Sequence, residues 1–341
     1  MLSEITKMRL QRFNKNKRAK WSFWILSISF ILSLFSTVLV NHKPIYLNYQ
    51  GQHYFPLFTF YPETSFGGNY KTEANYHKLM KNDKFLSACS FIIRSPIAQD
   101  PLYSDLNYDT EPPYAPSKHH LLGTDLIGRD ILARLIYGFR NCMCFSLLLT
   151  LCSTIIGIII GAVQGFFGKK VDFIMQRIIE IWDSLPFLYV VIVIGAIYGR
   201  NFWVLLLVMS LFSWIGLSYY IRADFFKIRN ATYVKVAQVS GISSPRILFH
   251  HILPNALTSV VTLLPFSIIA GISALTSLDF LGFGFPPPTP SWGELLAQGL
   301  DNIYAPWIAM STVFALFITL LLTAFIGEGV RDAFDPKGDP K

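Results

Sequence analysis

The segment Cys142–Gly165 reads CMCFSLLLTLCSTIIGIIIGAVQG and contains no Asp, Glu, Lys or Arg. A helix needs about 20 predominantly apolar residues to cross a bilayer, so this segment predicts a membrane-spanning helix. Gly157, Gly161 and Gly165 recur within it at four-residue intervals. Because glycines on one face let two helix backbones approach closely, we expect these three to pack the helix inside a bundle.

Five further segments have the same apolar character. They are Trp21–Val40, Ile178–Tyr198, Phe202–Ile221, Ala256–Leu278 and Trp307–Gly327. Charged residues make up only 15% of the chain, against about 25% in soluble domains. We therefore predict an all-α integral membrane protein with six transmembrane helices. The first segment is longer than a signal-peptide core and no A-x-A-like site precedes its end, so we expect an uncleaved anchor.

The distribution of basic residues predicts the orientation of these helices. Residues 1–20 contain seven Lys and Arg, whereas residues 279–306 contain none. Short loops rich in Lys and Arg remain in the cytoplasm. We therefore expect both termini, including the tail 331–341, to be cytoplasmic. The formal net charge of +8 is explained by basic residues that flank the apolar segments. We therefore do not expect the chain to bind nucleic acid.

Two stretches are expected on the outer side of the membrane. Residues 41–118 are rich in Tyr, Phe, Pro and Asn and predict a small irregular periplasmic insertion. Residues 119–140 place apolar side chains near helical spacing among Asp125, Arg129 and Arg134. This pattern predicts an amphipathic helix at the membrane surface, ahead of a five-helix core over residues 141–330.

Motifs for catalysis, cofactor binding and metal binding are absent from the sequence. There is no GxSxG, HExxH or CxxC pattern. Around Gly168-Lys169, Val163 and Lys170 occupy positions that a Walker A phosphate loop needs for Gly and Ser or Thr. Ionisable residues deep in spans mark the pathways of ion-driven carriers, and five of the six predicted spans lack them. We expect a protein that is not an enzyme and binds no cofactor or metal itself.

The stretch 222–255 is long for a cytoplasmic connection, and it has helical composition without transmembrane hydrophobicity. Residues 233–239 predict a short helix, which Gly241 ends because glycine readily adopts a positive φ after a helix. Ser243 or Ser244 can cap a second helix.

This second helix is expected to stop at Leu253-Pro254, where the fifth span begins. The side chains that could pack such a helix–glycine–helix elbow are Val239, Ile242, Ile247 and Leu248. The pattern alone fits two interpretations equally: an elbow that docks onto another protein, or an amphipathic linker lying on lipid.

Four separate motifs resemble the permeases of ABC importers. The run Ala237-x3-Gly241-x11-Leu253-Pro254 is similar to their EAA loop, although Lys235 and Val236 replace its Glu and Ala. The same loop ends in HILPN at 251–255. The other three motifs are GTDLIGRDILARLIYGFR at 123–140, LDFLGFG at 278–284 with WGEL at 292–295, and GEGVRDAFDP at 327–336. This combination is typical of the dipeptide/oligopeptide group, and the insertion resembles the branch serving oligopeptides and microcin C in Gram-negative bacteria.

The resemblance implies a type I ABC importer permease fold in the inner membrane. It implies a heterodimer with a second permease, two ATPase subunits or a fused tandem ATPase that uses the ATP, and a periplasmic peptide-binding protein. The residues that it assigns to ATPase coupling are Tyr233, Lys235, Ala237, Gly241, Ile242, His251, Leu253, Pro254 and Asn255.

The substrate pathway is less directly indicated. Small polar residues in the fifth span could line it or could hydrogen-bond neighbouring helices; they are Ser267, Ser273, Thr276 and Ser277. Asp279 and Glu294 are candidates to meet peptide charges, and Asp279 could instead cap a turn. Two other functions stay open at this point, an ATP-independent channel or carrier and a membrane-anchored structural or sensory protein.

Overall fold

The computed structural model describes residues 4–106 and 111–335, and the chain divides into two compact units. Unit 1 comprises residues 1–27, 142–286 and 316–341, and unit 2 comprises residues 28–141 and 287–315. The segment boundaries expected from the sequence follow membrane topology and stay a prediction. The outermost parts of the predicted terminal segments (1–3 and 336–341) and residues 107–110 of the predicted insertion lie outside the described residues.

Unit 1 is helical. Its elements are α1 (Glu4–Lys15), the start of α2 (Lys17–Leu34), most of α6 (Ile131–Phe167), α7 (Lys169–Asp183), α8 (Phe187–Tyr198), α9 (Phe202–Ser213), α10 (Ile215–Arg229), α11 (Thr232–Val239), α12 (Ser244–Ile247), α13 (Leu253–Phe280) and most of α15 (Pro306–Phe334). A π-helical turn, Leu248–Ile252, joins α12 to α13 without a break.

Within the described ranges, four helical runs are long and apolar enough to cross a membrane, or five if the bent pair α7–α8 forms one span. These runs are Ile131–Phe167, Phe202–Arg229, Ser244–Phe280 and Pro306–Phe334. They contain the second, fourth, fifth and sixth segments identified from the sequence. A multi-pass helical membrane protein is therefore confirmed, and the count of six spans stays a prediction.

The first predicted span, Trp21–Val40, is not one continuous helix. Phe35 interrupts it between α2 and the short helix α3 (Ser36–Leu39). The uncharged part of α2 covers only residues 21–34, about 21 Å at ~1.5 Å per residue. The hydrocarbon core of a bilayer is about 30 Å thick. Hydropathy alone did not reveal this interruption.

The third predicted span, Ile178–Tyr198, is also broken. The axes of α7 and α8 meet at 68°. Pro186 immediately precedes α8, and proline disfavours helical backbone at the residue before it, here Leu185. The prediction of one continuous helix is therefore wrong. It was based on the apolar residues on both sides of Pro186 and did not take the proline into account.

The three glycines of α6 all face α10. Built Cβ atoms on Gly157, Gly161 and Gly165 would lie 3.2, 2.6 and 2.4 Å from the nearest atoms of that helix. For Gly161 this atom is the carbonyl oxygen of Ser218, so the two backbones themselves are in contact. The close approach expected of glycine spaced at four residues is therefore present.

Unit 2 contains a small folded insertion rather than an irregular one. Strands β1 (Tyr46–Tyr49), β2 (Gln52–Tyr54) and β3 (Cys89–Ile93) form an antiparallel sheet in the order β2-β1-β3. Around it lie a 3-10 turn (Glu63–Phe66), α4 (Tyr76–Leu79) and α5 (Asp83–Ala88). One face of the sheet covers a core of Leu47, Phe66, Ala74, Tyr76 and Phe85. Aromatic packing gives this insertion its own hydrophobic core.

The helix expected over residues 119–140 begins only at Ile131, the first residue of α6. Residues 119–130 form turns, in which Gly123 and Gly128 have φ near +80°. A Cβ on Gly128 would lie 2.8 Å from the Asp105 carbonyl, so this turn also needs a residue without a side chain. The prediction of a surface helix fails because the charged side chains point inward, as described below. The remaining element of unit 2 is α14 (Trp292–Asp301).

Candidate functional site

The elbow suggested by the sequence is present in unit 1. Helix α10 continues to Arg229, so residues 222–229 belong to a helix instead of the predicted loop. After two intervening residues, Thr232–Val239 form the predicted short helix, α11. Arg229 donates from Nη1 to the Phe166 carbonyl at 2.8 Å, near the end of α6. A charged side chain thus satisfies a terminal carbonyl of the neighbouring helix.

Gly241 ends α11 in the way that the sequence indicates. Its φ is +77°, and the amide of Ile242 donates to the Ala237 carbonyl at 3.2 Å. This six-to-one hydrogen bond is the mark of a Schellman C-cap, which favours glycine at this position. Ser243 precedes α12 in extended conformation, but its side chain makes no capping hydrogen bond. Ser243 is therefore the N-cap residue, one of the two expected, without a capping hydrogen bond from its hydroxyl.

The second arm of the elbow does not stop at Leu253-Pro254. Helical backbone runs from Ser244 to Phe280 through the π turn. Pro254 lies in the first turn of α13, where the missing N–H matters least, and the wider π turn precedes it. The arm and the fifth span are consequently one helical run.

The inner face of the elbow is packed into unit 1. Val234 and Ala237 from α11, with Ile247 and Ile252 from the second arm, are each no more than 7% exposed. They share a core with residues of α6, α10 and α13, namely Ala162, Ile221, Phe225, Ala256 and Val260. An elbow fixed on three membrane-spanning helices moves with them, which a flexible tether would not do.

The outer face of α11 is apolar and exposed. Tyr233, Val236 and Val239 lie three residues apart and are 48%, 58% and 90% exposed. Three-residue spacing places them on one side of the helix. Val239, one of the candidates to pack the elbow, is exposed, whereas Ile242 and Leu248 lie against the core. Helix α11 thus has one buried side and one side that none of the described residues covers.

The other residues assigned to coupling surround this face. Lys235 is exposed, Leu253 packs against the core, and Asn255 donates to the Tyr233 hydroxyl at 3.3 Å. Pro254 is exposed. The backbone of His251 belongs to the π turn. Tyr233 and Asn255 therefore connect the two arms across the elbow.

A second cluster, in unit 2, was not identified from the sequence as a site. Arg129 donates to Asp125 at 2.7 Å and to Glu294 at 2.9 Å, and Arg134 donates to the other oxygen of Glu294. The side chains of Asp125, Arg129 and Arg134 are no more than 5% exposed, and that of Glu294 is 25% exposed. Two cations and two carboxylates balance, as buried charges require.

Further bonds extend this cluster to the start of α6. Asp130 accepts from the Ala133 amide at 2.8 Å and lies 2.9 Å from Nδ1 of the buried His120. Trp292 donates to the Leu135 carbonyl at 3.0 Å. The motifs at 123–140 and 292–295 are therefore parts of one structure. Their opposite charges were the available signal, but neither sequence motif by itself shows that they meet.

Both acidic residues that were candidates for contact with a peptide are bonded to other groups of this chain. Glu294 pairs with two arginines, and Asp279 is buried and accepts from the Phe285 amide at 2.7 Å. Asp279 thus stabilises the turn after α13, which was the second of the two expectations. Neither carboxylate is free to meet a substrate charge in this structure.

The four small polar residues of α13 do not share one environment. Ser273 and Ser277 are exposed and one turn apart, with the Ser277 hydroxyl donating to the Ser273 carbonyl at 2.8 Å. Thr276 is buried and Ser267 is half-buried. Thr276 accordingly does not face an open surface of this chain. Among the described residues, no group of three or more His, Cys, Asp or Glu side chains could hold a metal ion.

These features define a multi-pass helical membrane protein that carries a rigid elbow with an exposed apolar face. Residues 153–338, more than half of the chain, match the family described as binding-protein-dependent transport system inner membrane component. The chain belongs to this family, which confirms the resemblance seen in the sequence. Its relatives are transport permeases, so the expectation that the chain is not an enzyme is also confirmed.

Three relatives illustrate the match. The Escherichia coli K12 "Inner membrane ABC transporter permease protein YejE" is 42% identical, with 98% of both chains covered. The Agrobacterium fabrum "Peptidoglycan transport system permease protein YejE" is 41% identical over 98% of this chain and 94% of the relative. The Haemophilus influenzae "Oligopeptide transport system permease protein OppC" is 35% identical over 64% of this chain and 71% of the relative.

A solved structure shares the fold. A chain of the MetNI methionine ABC transporter, in an inward facing conformation, superimposes with a TM-score of 0.50. The match covers 60% of this chain and 97% of that chain at 16% identity. The helical permease fold predicted from the sequence is therefore confirmed in its general form.

Proposed function

We propose that this chain is the permease subunit of an ATP-driven importer for peptides and peptide-containing compounds. Relatives that cover most of the chain are named as permeases, one of them as an ABC transporter permease. Others are named for oligopeptide, dipeptide or peptidoglycan transport. Microcin C-like conjugates fall within the same chemical class. The proposal places six spans in the bacterial inner membrane with both termini in the cytoplasm.

The observation that carries the proposal is the two-faced elbow. Its inner side chains, such as Val234 and Ile247, are buried among α6, α10 and α13. Its outer side presents Val236 and Val239. Burial of such a face on a partner is favourable by about 25 cal/mol for each Å² removed from water. A force applied to the outer face would therefore reach the spans through packed helices.

The partner in this proposal is a separate ATPase subunit, or one half of a tandem ATPase. ATP would bind there, since this sequence has no phosphate loop. A second, related permease would complete the pathway, and a periplasmic binding protein would deliver the peptide. In this arrangement Lys235 stays in solvent or meets a carboxylate of the ATPase, and the apolar face supplies most of the contact.

A pair of variants tests the coupling role. Val239→Asp places a charge on the most exposed apolar position of the elbow, and Ile303→Asp makes the same change at a residue of unit 2 that is 84% exposed. We expect Val239→Asp to abolish peptide uptake and co-purification of the ATPase, while Ile303→Asp keeps the ATPase bound. Both proteins should insert in the membrane to the native level.

The outcome also separates the alternative functions. An ATP-independent channel or carrier would transport after Val239→Asp and would purify without any ATPase. Normal uptake by cells carrying Gly241→Trp would likewise remove the elbow from the mechanism, because that change adds bulk and strains a φ of +77°.

A further inference from the structure

Unit 1 also has an open groove beside the basic N-terminal segment. This groove has no part in the proposed coupling to an ATPase. Helices α1, α2, α13 and α15 enclose a groove of about 720 Å³, within the range of about 300–1,000 Å³ usual for small-molecule sites. Along α13 it extends from Pro254 to Val261, which is about 10 Å at ~1.5 Å per residue.

The walls of the groove are mainly apolar. Leu10, Phe23, Trp24 and Leu257 line it and are 54%, 44%, 51% and 37% exposed. Four large apolar side chains turned towards one open groove favour an apolar occupant. The rings of Phe13 and Phe23 meet edge to face at 6.2 Å, and Phe13 lies beside Gly329 of α15. The wall is therefore built by tertiary packing between α1, α2 and α15.

The charges at the groove have a single sign. Arg9 and Lys20 are among its lining residues, and no Asp or Glu is found among the described residues that line it. The guanidinium of Arg9 lies 4.3 Å from the centre of the Phe334 ring, which holds it at the groove. An anionic group would therefore be attracted to this end.

The residues around the groove have the composition expected where a helix enters a bilayer. The sequence changes from basic to apolar between Lys20 and Trp21, and aromatic residues follow at once. Basic residues and tryptophan concentrate where lipid headgroups meet the hydrocarbon. A ligand with its anion near Lys20 would have its apolar part along Leu257 and Val261, inside the hydrocarbon layer.

We propose that this groove binds one anionic phospholipid. The phosphate lies at Arg9 and Lys20, and part of an acyl chain lies against α13 and α15. Basic pockets between membrane-spanning helices are suited to anionic headgroups in general. A soluble anion would leave the apolar wall uncovered. A zwitterionic lipid would gain less from Arg9 and Lys20, which have no carboxylate beside them among the described lining residues.

The test uses the full chain, purified from membranes with the subunits that it binds. Native mass spectrometry follows binding of added dioleoyl phosphatidylglycerol or dioleoyl phosphatidylcholine. We expect the native chain to prefer phosphatidylglycerol, and Arg9→Gln with Lys20→Gln to weaken its binding about 25-fold, since each of the two basic groups near an anionic surface contributes about fivefold. The matched control is Lys7→Gln with Lys15→Gln, which removes the same charge from α1 outside the groove.

A third variant keeps every charge. Leu257→Trp fills the groove from α13, and we expect it to lower phosphatidylglycerol binding as well. Equal binding of the two lipids, equal losses in the two double variants, or full binding by Leu257→Trp would each overturn the proposal. Loss of the second permease subunit from the Arg9 and Lys20 variant, with no lipid on the native complex, would mean that a protein covers the groove instead.

Discussion

Nη2 of Arg134 lies 2.5 Å from Oε2 of Glu294, although 160 residues separate the two in the sequence. Arg134 is fully buried and also donates from Nη1 to the Pro101 carbonyl at 3.1 Å. A guanidinium in this position needs a nearby carboxylate, because an isolated buried charge is very unfavourable. The contact joins the first turn of α6 to α14 within unit 2.

We predict that Glu294→Gln destabilises the protein by about 3 kcal/mol. Removing one partner of a buried ion pair costs about 3–5 kcal/mol, and the lower end applies because Glu294 is 25% exposed. The thermal unfolding midpoint of the purified chain measures the loss. The double variant Arg134→Met with Glu294→Met should recover part of it, since Asp125 and Arg129 still balance each other.

The control for this prediction is an exposed ion pair. Arg177 and Glu180 are 2.7 Å apart, with side chains 60% and 47% exposed. Such pairs contribute about 0–1 kcal/mol, so Glu180→Gln should barely change the midpoint. Equal effects of Glu180→Gln and Glu294→Gln would show that burial of the Glu294 pair has no energetic consequence.

We next predict that Gly161→Ala destabilises the contact between α6 and α10. The added methyl would lie 2.6 Å from the Ser218 carbonyl and 2.8 Å from Ile221 Cβ. Overpacking of this kind costs about 1–3 kcal/mol. Gly216→Ala is the matched control on α10, because no atom lies within 4 Å of its built Cβ. Alanine there should be neutral or stabilising through helix propensity. A lower thermal unfolding midpoint in both variants would contradict the prediction.

The parts of this fold that follow a local pattern could be predicted from the sequence. Three long apolar runs correspond to α6, α13 and α15, and glycine at position 241 ends α11 as expected. In each case the determining residues lie within a few turns of one another. Helix period, apolar length and the conformational freedom of glycine are sufficient for such features.

Two kinds of feature could not be predicted: contacts between residues far apart in the sequence, and single residues hidden in a hydropathy average. Pro186 breaks a run that is apolar on both sides, and hydropathy averaged over that run hides one residue. Asp125 and Arg129 fall in a stretch that the sequence predicts as an amphipathic helix at the membrane surface. Local spacing does not reveal their burial, because the partner of Arg129, Glu294, lies far along the chain. The strands of the insertion contain only three to five residues, too few for a clear alternation.

We predict that Phe66→Ala unfolds the insertion locally. Phe66 is 5% exposed and contacts the rings of Tyr49, Tyr54 and Phe85 at 5.1 to 5.7 Å. Truncation of a buried Phe costs about 3–5 kcal/mol, which is large for a small domain. Limited proteolysis should then cut within residues 41–118 while α6 to α15 stay intact.

Phe58→Ala is the control for the insertion, since Phe58 is 70% exposed. We expect its proteolysis to match that of the native chain. If both phenylalanine variants were cut at the same rate, the aromatic cluster around Phe66 would not be the core that holds the sheet.

Finally, we predict that acidification weakens the insertion through His77. Burial lowers the pKa of His77 below its usual value of 6.5, even though nearby Asp105 acts in the opposite direction. Lys81, His42 and His120 also face His77 and lower its pKa.

The unfolded chain therefore takes up a proton at His77 at a higher pH than the folded chain does. The stability that neutral His77 contributes is fully present above about pH 6.5. It is lost as the pH falls from there through the lower folded-state pKa. Hydrogen exchange within residues 41–106 at pH 7.5 and 5.5, corrected for intrinsic rates, should show reduced protection at the lower pH.

His77→Gln should flatten this pH dependence, because glutamine does not titrate. His53→Gln provides the control, as His53 is exposed on β2 and bonds to the Tyr46 hydroxyl. The native chain and His53→Gln should lose protection together on acidification. An unchanged pH dependence in His77→Gln would assign the effect to other groups, such as Asp100, whose pKa is lowered by hydrogen bonds from His42 and two backbone amides against the raising effect of burial.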